Sequence, residues 1–153
     1  AAAIAAINEV VNSNLAKQAY EKGEYLLKKL HDFKNKYSMV KEIRGRGLMI
    51  GLEFEKPAAG LLDKITGGAV TKLSEEYLGA LVAGELLNKY CIITAYTLNN
   101  PNVIRLEPPL TVTYEELDKL VESLEDIFSK RQGFMSIAFS SGKTVINTFF
   151  NKK

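Results

Sequence analysis

Apolar residues recur along this chain in two rhythms, and the switches between them mark out the elements. Ile4, Ile7 and Val11 fall at helical spacing. Asn12-Ser13-Asn14 then interrupts with residues that favour caps over helix interiors. Leu15, Ala19, Leu26, Leu30 and Phe33 resume the stripe, which predicts a second helix ending near Tyr37. From Met39 to Arg44, and again from Leu48 to Phe54, the rhythm shortens. In the second run Leu48, Ile50, Leu52 and Phe54 alternate with Met49, Gly51 and Glu53, which predicts a strand with one apolar face. Gly45 and Gly47, between the runs, permit a tight connection or a bulge.

Lys56 to Leu73 carries Pro57, Gly60, Gly67 and Gly68 and reads as a long loop. Ser74 is the expected N-cap of the next helix, with Glu75 and Glu76 in its first turn. Leu78, Leu81, Val82 and Leu86 form its apolar stripe, ending near Tyr90. Cys91-Ile92-Ile93-Thr94-Ala95 reads as a buried strand. Leu98-Asn99-Asn100-Pro101-Asn102 is a turn, because Asn and Pro favour turn geometry. Val103 to Leu106 is a short strand that Pro108-Pro109 ends, since proline cannot donate to a ladder. Thr113-x-x-Glu116 is a capping box, and Leu117, Leu120, Val121, Leu124 and Phe128 follow on one helical face. The order predicts an α+β fold: a small, mainly antiparallel sheet with helices packed on one side. There is no internal repeat.

Composition narrows the classes. With 153 residues, 46% hydrophobic and 25% charged, the chain has the make-up of an ordinary globular domain able to bury a core. Twenty basic residues against 18 acidic ones leave a net charge of +2, too balanced for a nucleic-acid footprint. A single cysteine, Cys91, excludes an internal disulfide and suits a reducing compartment, so a cytoplasmic location is expected. No apolar run reaches the roughly 18 residues of a membrane helix, so no membrane partner is expected. The opening Ala1-Ala2-Ala3-Ile4-Ala5-Ala6-Ile7 lacks both a basic signal region and an initiator methionine. Further chain upstream is therefore expected.

Most motif-like segments reduce to ordinary structure. Arg44-Gly45-Arg46-Gly47 lacks the third glycine of a dinucleotide fingerprint, having Ile50 in its place, and precedes a strand rather than a helix. Gly142-Lys143-Thr144 copies the end of a phosphate-binding loop, but Ile137 stands where that motif needs glycine, so a hairpin turn is expected. His31, the single histidine, belongs to a lysine-rich helix end and has no companions for a metal site. Cys91 opens an apolar run and is expected in the core. Glu115-Glu116 and Glu122 to Asp126 are expected on the solvated face of the last helix. Tyr20, Tyr25 and Tyr37 fall in a helical segment, whereas an RNA-stacking platform places its aromatics on a sheet. Arg105 differs. It alternates with Ile104 and Leu106, so it points away from the apolar face at the end of a strand. A guanidinium there is either a plain surface charge or a rigid fork for a carboxylate, and composition leaves both open.

Two segments carry a family resemblance. Ile43-Arg44-Gly45-Arg46-Gly47-Leu48-Met49-Ile50-Gly51-Leu52-Glu53-Phe54 resembles the glycine-rich strand pair that begins the small domain of class III, fold-type I, aminotransferases. Thr97-Leu98-Asn99-Asn100-Pro101-Asn102-Val103-Ile104-Arg105-Leu106-Glu107-Pro108-Pro109-Leu110-Thr111 is similar to the same family's Arg-x-x-Pro-Pro-Leu signature. Its wording lies nearest to putrescine aminotransferases. The resemblance implies a C-terminal small domain over residues 1–131, its first helices linking to a large domain, with 132–153 as an apolar tail or the entry to a further domain.

It implies a pyridoxal-phosphate enzyme that moves an amino group between an ω-amine or amino acid of the ornithine or putrescine type and a 2-oxo acid. Its partners would be its own large domain and a second copy in a homodimer. It implies Arg105 as the substrate-binding residue, matching the family arginine that holds a substrate carboxylate. The family's cofactor lysine, stacking aromatic and pyridine aspartate belong to the large domain, so this chain is expected to hold no catalytic, cofactor or metal residue and to be inactive alone. Exposed apolar surface on the first helix is expected to drive self-association. The rival readings are a free-standing α+β ligand-sensing or protein-interaction module, and an RNA-binding module that the charge balance disfavours.

Overall fold

The computed structural model describes residues 1–55, 69–97 and 99–130. The expected apolar tail from residue 132, with its Gly142-Lys143-Thr144 hairpin, lies outside the described residues, as does residues 56–68 of the expected loop.

Helix α1 (Ala2–Asn12) and helix α2 (Leu15–Leu30) meet at a break where the periodicity places it. Asn14 holds the left-handed conformation at φ 49°, one of the few non-glycine residues that tolerates it. Gln18 Nε2 donates to the Ser13 carbonyl at 2.8 Å and fixes the corner. α1 buries none of its residues, and Ile4 and Ile7 are exposed.

The second helix does not continue to Tyr37. It stops at Leu30, and a four-residue helix α3 (Phe33–Lys36) follows after a turn. The break sets Phe33 and Tyr37 edge-to-face against each other and against Phe128, with ring centroids 5.2 to 6.1 Å apart. Aromatic pairs favour this geometry, and it compensates the lost helical turn.

Strands β1 (Val40–Arg46) and β2 (Met49–Phe54) form the hairpin. Its reversal falls at Gly47 and Leu48, where Gly47 sits at φ 55°. Gly45 lies within the strand rather than in the turn. The hairpin turn presses on α2 backbone to backbone: a Cβ on Gly23 would stand 2.1 Å from the Gly47 carbonyl oxygen. This explains a glycine in the middle of a helix, where it otherwise costs about 1 kcal/mol.

Helix α4 (Ala69–Tyr90) begins five residues before Ser74, so Ser74 is not its N-cap and the preceding loop does not reach Leu73. After Gly68 no helix breaker occurs before Ser74, and a serine inside a propagating helix costs little. The buried strand expected over 91–95 is also corrected. Cys91 takes φ 57° and ends α4. Its N–H donates to the Leu87 carbonyl at 3.1 Å, and the Ile92 N–H to the Leu86 carbonyl at 3.0 Å, a nested pair that satisfies helix-end acceptors. The reversed chain then spends 91–94 returning to the sheet, leaving Cys91 exposed and Ile93 84% exposed. Only Ala95–Tyr96 pair as strand β3.

Strand β4 (Val103–Leu106) and helix α5 (Tyr114–Lys130) fall where the sequence places them. The turn between β3 and β4 uses its asparagines as expected: Asn100 Oδ1 accepts from the Asn102 N–H at 3.1 Å. The capping box forms reciprocally. Thr113 N–H donates to Glu116 Oε2 at 2.8 Å, and Glu116 N–H to Thr113 Oγ1 at 3.2 Å.

The sheet order is β1-β2-β4-β3, with every neighbouring pair antiparallel. Ile50, Leu52, Phe54, Ile104 and Leu106 meet α2, α4 and α5 in one core, joined by Leu26, Leu30, Val82, Leu86, Leu124 and Phe128. The fold is α+β with helices on one face. Among the described residues, no helix is long and apolar enough to cross a membrane.

Candidate functional site: the outer face of the sheet

Alternation sends every second residue of β2 and β4 away from the helices. Register then aligns them into rows. Arg44 of β1 is opposite Gly51 of β2, Gly51 is opposite Arg105 of β4, and Arg105 is opposite Ala95 of β3. Two guanidinium groups thus flank a glycine on the outer surface. The result is a shallow depression of about 380 Å³ whose walls include Arg44, Met49, Gly51, Val103, Arg105 and Glu107.

The two arginines have different surroundings. Arg44 Nη1 donates to Glu53 Oε2 at 2.6 Å and to Glu42 Oε2 at 2.8 Å. Glu53 also accepts from Lys41 Nζ at 2.7 Å. Glu53 is largely buried although it belongs to the outward phase of β2. Its bonds from Lys41 and Arg44 hold its carboxyl below the usual carboxylate range, and Glu53 in turn holds Arg44 even more firmly protonated. Arg105 is half-exposed and meets one partner among the described residues, Glu107 Oε1, at 3.6 Å. That is an ion pair without hydrogen-bond contact. Arg105 therefore keeps its donors available to a ligand, as does the exposed Arg46, which lies opposite Met49 on the same outward phase.

A second, mainly apolar hollow of about 600 Å³ adjoins the depression, and Met49 and Glu107 line both. Tyr20, Leu110 and Pro108 help to wall it, with Tyr20, Met49 and Leu110 exposed.

Arg105 thus stands where its alternation with Ile104 and Leu106 places it. Glu107 was missed, although it continues the outward phase of Arg105 two residues further on. His31 is exposed, as expected, and stands apart from the depression. Cys91 is exposed rather than in the core, for the helix-ending reason above. The three tyrosines share no surface: Tyr20 is exposed, Tyr25 Oη donates to Asp118 at 2.6 Å, and Tyr37 is buried in the aromatic cluster. Arg44 to Gly47 form strand and turn. The acidic residues of α5 act structurally: Glu116 caps, Glu125 pairs with Lys36 at 2.8 Å, and Asp126 gathers Lys89, Lys130 and Tyr90.

Nothing in the described residues is built to cradle a phosphorylated cofactor. The one buried lysine among them, Lys22, has its amine bonded to Gln18 Oε1 at 3.1 Å and to the Leu110 carbonyl at 3.3 Å. Lys29, Lys36, Lys41 and Lys89 each pair with a carboxylate. No group of three or more His, Cys, Asp or Glu among the described residues could hold a metal ion.

The family model for "Aminotransferase class-III" matches residues 1–128. A putrescine aminotransferase of Pectobacterium atrosepticum is 34% identical over 88% of this chain and 25% of its own length. An acetylornithine aminotransferase of Caldanaerobacter subterraneus is 35% identical over 85% of this chain and 27% of its own. A solved amine transaminase from an uncultivated Pseudomonas species, in its PLP-bound form, superposes with a TM-score of 0.63 at 30% identity, over 84% of this chain and 26% of that one. The chain spans about a quarter of the length of the curated relatives it matches.

Proposed function

The chain belongs to the class III aminotransferases, and from that premise we propose that it is the small C-terminal domain of a longer enzyme. That enzyme would transfer an amino group between an ω-amine or amino acid of the putrescine or ornithine type and a 2-oxo acid. Class III aminotransferases in general depend on pyridoxal phosphate. The described residues do not fit that group, so the reading assigns cofactor and catalytic lysine to the remainder of the protein. When bound there, the cofactor supplies the electron sink that amino transfer needs.

This domain's share is orientation. The observation that carries the reading is Arg105: a half-exposed guanidinium at the end of a rigid strand, facing outward, with no hydrogen-bonded carboxylate. A planar fork in that setting binds a carboxylate through two parallel N–H···O bonds, and two bonds fix direction as well as position. With the acid end held, the reacting end is aimed at one place, which lowers the entropic cost of reaction. Two further supports are the Arg105-Leu106-Glu107-Pro108-Pro109-Leu110 segment and the putrescine and acetylornithine aminotransferases among its relatives. The reading brings with it a large domain and a homodimer partner. It also places the protein in the cytoplasm, where an exposed thiol such as Cys91 stays reduced.

The test is amino transfer by the full-length protein from putrescine or ornithine to 2-oxoglutarate, in wild type and Arg105→Lys. Loss of the fork should raise KM for the oxo acid about tenfold or more with kcat little changed, because lysine offers only a point charge. No transfer by wild type overturns the enzyme reading. An unchanged KM in the variant overturns the clamp.

A further inference from the structure

Tyr37 follows α3 and leads into β1, and the aromatic cluster fixes its ring. Phe33 and Phe128 meet that ring edge-to-face, and the residue is only 7% exposed. Its hydroxyl is shut off from water and has no hydrogen-bond partner among the described residues. A buried hydroxyl left in that state carries the full cost of its desolvation. The Lys36 ammonium comes near, 5.2 Å from the Tyr37 ring centroid, while donating to Glu125 Oε1 at 2.8 Å. Lys36 is held more firmly protonated, by Glu125 first and by the Tyr37 hydroxyl second. An ammonium, however, has only donors. It can serve the hydroxyl oxygen and never the hydroxyl proton, so the missing partner is an acceptor.

A cavity of about 520 Å³ opens beside this ring, walled also by Lys34, Asn35, Lys36, Ser38, Met39 and Phe128. Its size is that of a small-molecule site. Among the described residues no acidic side chain lines it, and Asn35 and Ser38 can both donate. Charge then selects the acceptor. Lys36 is already paired with Glu125, whereas Lys34 pairs with no carboxylate among the described residues. One uncompensated positive charge suits a monoanion, hence a carboxylate rather than a doubly charged phosphate. Met39 and Phe128 supply an apolar wall for the rest of the molecule.

We propose that this cavity binds a small organic carboxylate with an apolar body, its carboxylate accepting from Tyr37 Oη and facing Lys34. Lys36 is 56% exposed and swings aside at little cost, because an exposed ion pair is weak. The cavity shares no residue with the depression or the hollow on the outer face of the sheet. Its wall draws on α3, the turn into β1 and the end of α5, so a bound carboxylate ties the three together.

The test is calorimetric titration of the full-length protein with butanoate at constant ionic strength. Tyr37→Phe should weaken binding about tenfold or more, the worth of a hydrogen bond to a charged group. Without ligand the same variant should melt at the wild-type temperature or above it, since the hydroxyl it removes has no partner. Lys34→Gln, at an exposed position that folding does not depend on, should weaken butanoate about twofold to fivefold. Butanamide, the uncharged analogue, should bind about tenfold more weakly than butanoate. Arg105→Lys should leave the Tyr37-dependent binding unchanged. Absence of saturable binding overturns the site, as does an affinity that survives both Tyr37→Phe and Lys34→Gln. Binding lost in Arg105→Lys would place butanoate on the outer face instead and overturn it too. Butanamide binding as tightly as butanoate overturns the choice of a carboxylate.

Discussion

The inner and outer faces of the sheet are written on alternate residues of the same strands, yet different physics holds each. Ile50, Leu52, Phe54, Ile104 and Leu106 point inward and are essentially removed from water against three helices. Their contribution is the transfer of apolar surface, which needs no fixed direction. Lys41, Glu53, Arg44, Arg105 and Glu107 face outward and interact by charge. There direction and distance decide everything. The outer face itself divides at Gly51: on the β1 side Lys41 and Arg44 are locked to Glu53, and on the β4 side Arg105 has no hydrogen-bonded carboxylate. A scaffold that derives its stability from one face can leave part of the other unsatisfied, and the proposed role of Arg105 draws on that part.

Three further substitutions test this contrast. Ile104→Ala, on the inner face of β4, should lower unfolding stability by about 2–5 kcal/mol in urea denaturation, because the cavity lies among helices that cannot collapse into it. A loss below 1 kcal/mol would mean the inner face is not the source of stability.

Glu53→Gln should cost about 1 kcal/mol or less, since both cations it holds are half-exposed. Its pH dependence is more telling. The folded-state pKa of Glu53 is lowered, so its contribution is fully present above the ordinary glutamate value of about 4.3 and is lost as pH falls through the lowered value. The gap between wild type and Glu53→Gln should therefore close on acidification. A gap that persists in strong acid would point to packing rather than charge.

Arg105→Ala should change stability by less than about 0.5 kcal/mol, because it removes no hydrogen bond and the side chain is half-exposed. A larger loss would make Arg105 a structural residue and erase the distinction between the two halves of the outer face.

The last helix shows how much local sequence can say. Thr113 and Glu116 satisfy each other's backbone N–H groups across three residues, and Leu117, Leu120, Val121, Leu124 and Phe128 fall on one side of a regular helix. Cap and stripe are both local, so they are legible before any tertiary contact exists. Strands β2 and β4 were legible for the same reason, and with them the outward direction of Arg105. The segment 91–95 misled because an apolar run suits a buried strand as well as a helix end. Only the left-handed turn at Cys91 decides between them, and Cys91 gives no glycine-like warning of it.

What the sequence determined by itself was therefore periodicity: which residues share a face, where helices are capped, and which arginine points away from the core. Tertiary structure decided partnership. Gly23 meets Gly47, Glu53 draws in Lys41 and Arg44, and Glu107 stops just short of Arg105. Those outcomes depend on strand register and on ångström-scale distances between side chains and backbones that only the folded chain brings together. Hydrophobic burial depends mainly on the face a residue occupies, whereas a hydrogen bond depends on where its partner ends up.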